Sequence, residues 1–246
     1  MTRAAASVGI YGGTFNPVHL GHLRAAEEVA EALGLERVLF VPSGEPPHKR
    51  AVPAPGEGGA VDPIAPAALR LEWVRLAVAG NPRFEVATLE VERDGPSYLV
   101  ETLSHLRGAL APARGVFILG RDAFQEMGGW REPRRLLTLA DFAVTTRPPL
   151  EPATDRLDLW LPACARDDVD VDADGRSAVH REAGTRLRLV PITAVDVSAT
   201  DIRARVRAGR SIRYLVPEPV REAIEASGAY APAPRSGDAS AEEARR

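Results

Sequence analysis

Cysteine is nearly missing from this chain of 246 residues: Cys164 is the only one. An intrachain disulfide framework is therefore excluded, and a reducing compartment suits the chain. No motif surrounds Cys164, so it reads as a small loop residue rather than a nucleophile. Lysine is equally scarce. All but one of the 31 basic side chains are arginine, the exception being Lys49. Long apolar runs are absent too. None approaches the roughly 20 residues needed to cross a bilayer, and residues 1–7 lack the apolar stretch of a secretory leader. A cytoplasmic location is the expectation. A surplus of positive charge is also missing, the net charge being −3. That argues against a nonspecific nucleic-acid binder. It leaves room for a phosphorylated substrate, because a few local cations can focus charge inside a cleft. There is no internal repeat.

What is present suits a packed globular core, with 45% hydrophobic and 26% charged residues. Residues 8–11 form a short apolar run entering Gly12-Gly13, a buried strand before a tight turn. Residues 20–33 carry Leu20, Leu23, Ala26, Val29, Ala30 and Leu33 at helical spacing, with Gly34 as a stop. Further strands are predicted over 38–41, 84–91, 116–119, 142–145 and 187–191. Helices are predicted over 67–79, 97–110 and 134–139, then near 200–208 and 219–227. Apolar strands alternating with helices predict a doubly wound parallel α/β sheet with a small C-terminal helical segment. One domain is expected over 1–230, followed by an unstructured tail over 231–246. Within it, 163–186 reads as an acidic, poorly ordered insertion. Its alternating Asp168, Asp170 and Asp172 hint at a calcium loop, but the twelfth-position Glu is missing.

In such sheets ligands bind beyond the carboxyl ends of the strands. There the sequence gathers its unusual polar residues. The first strand is followed by Gly12-Gly13-Thr14-Phe15-Asn16-Pro17-Val18-His19-Leu20-Gly21-His22. Glycines let a ligand approach the backbone, and the helix start attracts anions. His19 and His22, three apart, share a face and suit phosphate oxygens. A zinc pair would lack its third ligand; half-buried, satisfied histidines are the plain alternative. The second strand leads to His48 and Lys49. In a chain that otherwise uses Arg, a retained ammonium points to a role that a planar guanidinium cannot fill, or to chance. Later strands lead to Gly120, Asp122 and Arg147. Asp122 could accept from ribose hydroxyls or bond its own backbone. Ser198 and Asp201 form a capping pattern. With Thr200 and Arg203 they make either a second anion site or an ordinary capped helix.

Residues 12–22 resemble the HxGH signature of the adenylyl- and cytidylyltransferase superfamily. Further blocks follow in order: Pro46-Pro47-His48-Lys49, Gly95-Pro96-Ser97-Tyr98, Gly120-Arg121-Asp122 with Trp130, Arg147-Pro148, the Ser198–Arg203 stretch, and Ser211-Ile212-Arg213-Tyr214-Leu215-Val216-Pro217. Together they resemble the bacterial nicotinate-nucleotide adenylyltransferase family over about 8–230. The resemblance implies a Rossmann-like nucleotidyltransferase that joins the adenylyl group of ATP to nicotinate mononucleotide in NAD biosynthesis. It implies catalytic roles for His19, His22, Lys49 and Arg203. ATP contacts would come from Gly12, Gly13, Thr14, Phe15, Gly120, Asp122, Arg147, Ser198 and Thr200. The mononucleotide would meet Asn16, His48, Ser97, Tyr98 and Trp130, the tryptophan stacking on the pyridine ring. Mg²⁺ would arrive with ATP, with no protein-held metal. No nucleic-acid or membrane partner is implied, and a homo-oligomer is neither required nor ruled out. Two departures stand out. Asn16 occupies a place where the superfamily often has Asp, which removes a general base. Leu99 follows Ser97-Tyr98 where a Thr is usual, which removes a hydroxyl near the pyridine carboxylate.

Overall fold

The structure, a computed structural model, describes residues 6–47, 64–147, 151 and 153–230. The strands are β1 (Ser7–Gly13), β2 (Arg37–Pro42), β3 (Phe84–Val86), β4 (Arg114–Gly120), β5 (Asp141–Thr146), β6 (Val169–Val171), β7 (Ser177–His180) and β8 (Arg186–Pro191). They form one sheet in the order β3-β2-β1-β4-β5-β8-β7-β6. The run from β3 to β8 is parallel; β7 and β6 are antiparallel additions. From β1 the chain winds outward through β2 to β3, then returns to β4 on the other side of β1. The switch point therefore lies between β1 and β4, where a crevice opens at the carboxyl ends.

Both faces of the parallel strands are covered, so successive residues alternate between two cores. Val38 and Phe40 of β2 enter one core, with Val116 and Ile118 of β4. That core holds α1 (Leu20–Leu33), α2 (Ala67–Val78) and α8 (Glu218–Ser227). Leu39 and Val41 enter the other, with Phe117 and Leu119, against α3 (Leu99–Ala109) and α5 (Pro133–Leu139). The remaining helices are the short α4 (Arg121–Glu126) and α6 (Leu157–Trp160), and α7 (Ala199–Arg207). Gly34 ends α1 at φ 62°, as its position predicts.

Two sequence expectations are corrected. The strand predicted over 84–91 stops at Val86. Its ladder with β2 ends at Phe40↔Val86, and a turn closed on the Thr88 carbonyl follows. That turn sends Glu90 inward, where its Oε1 accepts from Thr102 Oγ1 at 2.6 Å. The stretch 163–186 is not irregular. A 3₁₀ turn, Ala163–Asp168, leads into the β6–β7 hairpin that widens the sheet. Val169 is buried and Val171 packs behind it, while Asp170 faces solvent toward Arg181. Alternating Val and Asp is thus the period-two signature of a half-buried strand. Asp168 takes both guanidinium arms of Arg134, at 2.8 and 2.7 Å. The tail over 231–246 lies outside the described residues.

Candidate active site

Two cavities flank the carboxyl ends of β1 and β4. The first, of about 460 Å³, is lined by His19, His22, Gly120, Asp122, Arg147 and Ser198, joined by Tyr11, Arg121 and Val197. The second, of about 500 Å³, is lined by Gly12, Gly13, Thr14, Ser97, Tyr98 and Trp130, with Pro46, Pro47, Leu99 and Arg131. Ala123 borders both. Six residues that the sequence assigns to ATP or catalysis therefore converge in one cavity. Gly12 to Thr14 border the neighbouring one, with Ser97, Tyr98 and Trp130.

His19 is the N-cap of α1, and its backbone N–H donates to His22 Nδ1 at 3.2 Å. That contact makes His22 Nδ1 an acceptor, so a neutral His22 carries its proton on Nε2. The two rings stack with centroids 3.7 Å apart. Gly21 between them makes this geometry possible. A Cβ there would lie 3.0 Å from Val197 Cγ1 and 3.1 Å from His19 Nδ1, crowding the ring. Burial pulls the His19 pKa down to about 4, and the nearby Arg147 guanidinium pushes in the same direction. His19 is thus neutral near pH 7, and its Nδ1 is without a hydrogen-bond partner among the described residues. Burial also raises Tyr11 to about 12, opposed by Arg147, so its phenol stays protonated. Arg121 is held by the buried Asp155 at 3.3 Å, and its guanidinium lies 5.9 Å from the Trp160 ring centre. Asp122 is largely exposed, in the first turn of α4.

Several assigned residues sit behind or beside the cavities. Phe15 is buried at φ 47°, its ring edge-on to His22 with centroids 5.1 Å apart. Asn16 is buried and lines neither cavity; its Oδ1 accepts from the Ala65 N–H at 2.9 Å and the Tyr230 hydroxyl at 2.6 Å. Arg203, also buried, donates to the Asn16 carbonyl at 2.6 Å and to Thr200 Oγ1 at 3.2 Å. Ser198 Oγ accepts from the Asp201 N–H at 3.1 Å and so caps α7. The reciprocal half of a capping box is replaced by an Asp201–Arg205 pair at 2.6 Å. Thr200 is exposed at that helix start. His48 and Lys49 lie outside the described residues.

Periodicity did not single out two further residues. Arg70 of α2 is 1% exposed. Its Nη1 donates to the Thr14 carbonyl at 2.7 Å, its Nη2 to Gly44 at 2.8 Å and its Nε to Ala65 at 2.9 Å. One guanidinium thus ties together the turn after β1, the turn after β2 and the approach to α2. Glu90 is buried beside the second cavity, and its burial raises its pKa against hydrogen bonds from Thr102 and Ser97. Ser97 Oγ in turn accepts from the Gly44 N–H at 3.0 Å. Gly44 is required there, because a Cβ would come within 2.2 Å of the Glu90 carbonyl oxygen. Arg70 had a readable signal: it shares a helix face with the buried Trp73 and Val74.

A switch-point crevice with paired imidazoles at a helix start is the arrangement of a nucleotidyltransferase. Residues 10–205 match the cytidylyltransferase-like family. The chain is 40% identical over 223 residues to a protein of Thermomicrobium roseum named "Probable nicotinate-nucleotide adenylyltransferase", covering 91% of each. A namesake from Chromohalobacter salexigens is 42% identical over 231 residues, covering 92% of this chain and 96% of that protein. The chain belongs to the nicotinate-nucleotide adenylyltransferase family, within the cytidylyltransferase-like class. The fold is shared with the Plasmodium falciparum nicotinic acid mononucleotide adenylyltransferase complexed with NaAD. The TM-score is 0.63 at 12% identity, with 92% of this chain and 97% of that one covered.

Proposed function

We propose that this enzyme transfers the adenylyl group of ATP to nicotinate mononucleotide, giving nicotinate adenine dinucleotide and pyrophosphate for NAD biosynthesis. The observation that carries this reading is the pair of cavities meeting at the β1–β4 switch point. One offers imidazoles and guanidinium groups; the other offers a flat aromatic wall. ATP occupies the first, with its phosphates toward His19, His22, Arg147 and the start of α7. The pyridine of the mononucleotide occupies the second, against Trp130 and Tyr98.

The mononucleotide phosphate attacks the α-phosphorus in line. One oxygen–phosphorus bond forms, the bond to the β-phosphate breaks, and pyrophosphate leaves with the electron pair. The nucleophile is already anionic, so no general base is needed, which agrees with Asn rather than Asp at 16. Catalysis is then positioning plus stabilisation of spreading charge. A neutral His19 and the Nε2–H of His22 donate hydrogen bonds without a protonation step. Arg203 and Arg70 hold the loops that frame the cavities. No group of three His, Cys, Asp or Glu among the described residues is placed to hold a metal, and Asp122 is the lone carboxylate lining the first cavity. Mg²⁺ would enter with ATP as part of the substrate, where it would offset charge on the phosphate oxygens.

Pyrophosphate release from MgATP, measured with nicotinate mononucleotide, its amide counterpart and phosphopantetheine, tests the assignment. Turnover that favours the acid supports it. Turnover confined to phosphopantetheine, or none with any acceptor, refutes it.

A further inference from the structure

Resting on that reading, we propose that Arg131 is a specificity-determining residue, its guanidinium recognising the carboxylate of the pyridine ring. Leu99 gives this cavity no side-chain hydroxyl at the start of α3, so discrimination between acid and amide needs another source. Arg131 is the only cationic side chain among the described residues lining the second cavity. It follows Trp130 directly, at the wall where the flat ring stacks.

Three contacts fix its geometry. The guanidinium lies over the Tyr98 ring, 4.6 Å from its centre. Such stacking sets the plane of the group and leaves its N–H edge for a partner. Its Nη1 meets Glu101 Oε1 at 3.0 Å, while Glu101 Oε2 meets Arg93 Nη1 at 3.1 Å. Two guanidinium groups thus share one carboxylate. The trio keeps a net positive charge, and Glu101 stays paired with Arg93 when Arg131 turns to a substrate. Arg131 also pairs weakly with Glu132, at 3.9 Å.

The opposing charges in the cavity make the sign of this group matter. Glu90 and Glu126 both line it. Glu90 is buried and occupied by two hydroxyl donors. Glu126 is exposed and offers an acceptor that suits an amide N–H and repels a carboxylate. Without Arg131 the cavity would favour the amide; with it, a carboxylate gains a charge-assisted partner.

The test is kcat/KM for the acid and the amide mononucleotide with the parent enzyme, Arg131→Gln and Glu126→Gln. Arg131 is half exposed, its side chain at 51%. Screening therefore keeps its effect near tenfold, below that of a buried pair. Arg131→Gln should lower the acid-to-amide ratio about tenfold, almost wholly through the acid. Glu126→Gln should raise the ratio. A purely structural role would lower both substrates together, so an unchanged ratio in Arg131→Gln overturns the proposal whether activity falls or not. Failure of the parent enzyme with both mononucleotides would instead overturn the proposed function, and this inference with it.

Discussion

Replacing His19 with Gln removes an imidazole whose proton affinity burial has lowered. In the unfolded chain this group takes a proton below about pH 6.5; in the folded protein it resists until about pH 4. Between those values the unfolded state binds more protons, so the His19 contribution to stability is complete above pH 6.5 and lost as pH falls toward 4. The full shift corresponds to about 3 kcal/mol. Lowering the pH from 7.5 to 5.0 should cost the parent about 2 kcal/mol through this side chain alone. Other groups titrate as well. Glu90, raised by burial, works in the opposite direction, but it is present in both proteins and cancels in the comparison. Urea denaturation of parent and His19→Gln at both pH values supplies the measurement. The parent should lose about 2 kcal/mol more than the variant, and Arg147→Ala, which removes the smaller cause, should shrink that gap only slightly. Equal acid sensitivity in parent and His19→Gln would refute the claim that a buried, neutral imidazole stands at the cavity wall.

His22→Ala should fold, losing about 1 kcal/mol with the contact to the His19 N–H, while turnover falls about 100-fold or more; stopped-time pyrophosphate assays and a melting curve separate the two effects. Arg70→Met leaves the Thr14, Gly44 and Ala65 carbonyls without their shared donor, and should cost about 3 kcal/mol in urea denaturation. The surviving folded fraction should show a raised KM for both substrates. Gly44→Ala forces the turn after β2 away from Glu90, with an expected loss of about 2 kcal/mol and a raised KM for the mononucleotide; wild-type values in that variant would mean the turn yields without cost.

Much of the fold was legible because short-range patterns caused it. The apolar runs of β1, β2, β4 and β5 are buried on both faces, as such runs require, and α1 stops at Gly34 where only a left-handed residue fits. The same logic would have rescued the 169–171 segment, whose alternating Val and Asp describe a strand with one wet face. Composition hid it, because five acids within eight residues look like solvated chain. The candidate site was legible where residues act through their neighbours in sequence, as with His19, Gly21 and His22 at a helix start, or Ser198 capping its own helix.

The sequence by itself determined the alternation of strands and helices, and which loop ends carry polar groups, because periodicity, glycine and capping are properties of adjacent residues. Only the tertiary structure decided what those polar groups do. Arg203 and Asn16 are 187 residues apart yet share a hydrogen bond. Arg70 reaches back 56 residues to Thr14. Such partners are brought together by the winding of the sheet about β1, and no local pattern encodes that a buried guanidinium will find three carbonyls rather than a phosphate. The lowered pKa of His19 has the same origin. Burial and the field of Arg147 come from chain segments far from its own, so its protonation state was fixed by packing and not by the HxGH spacing.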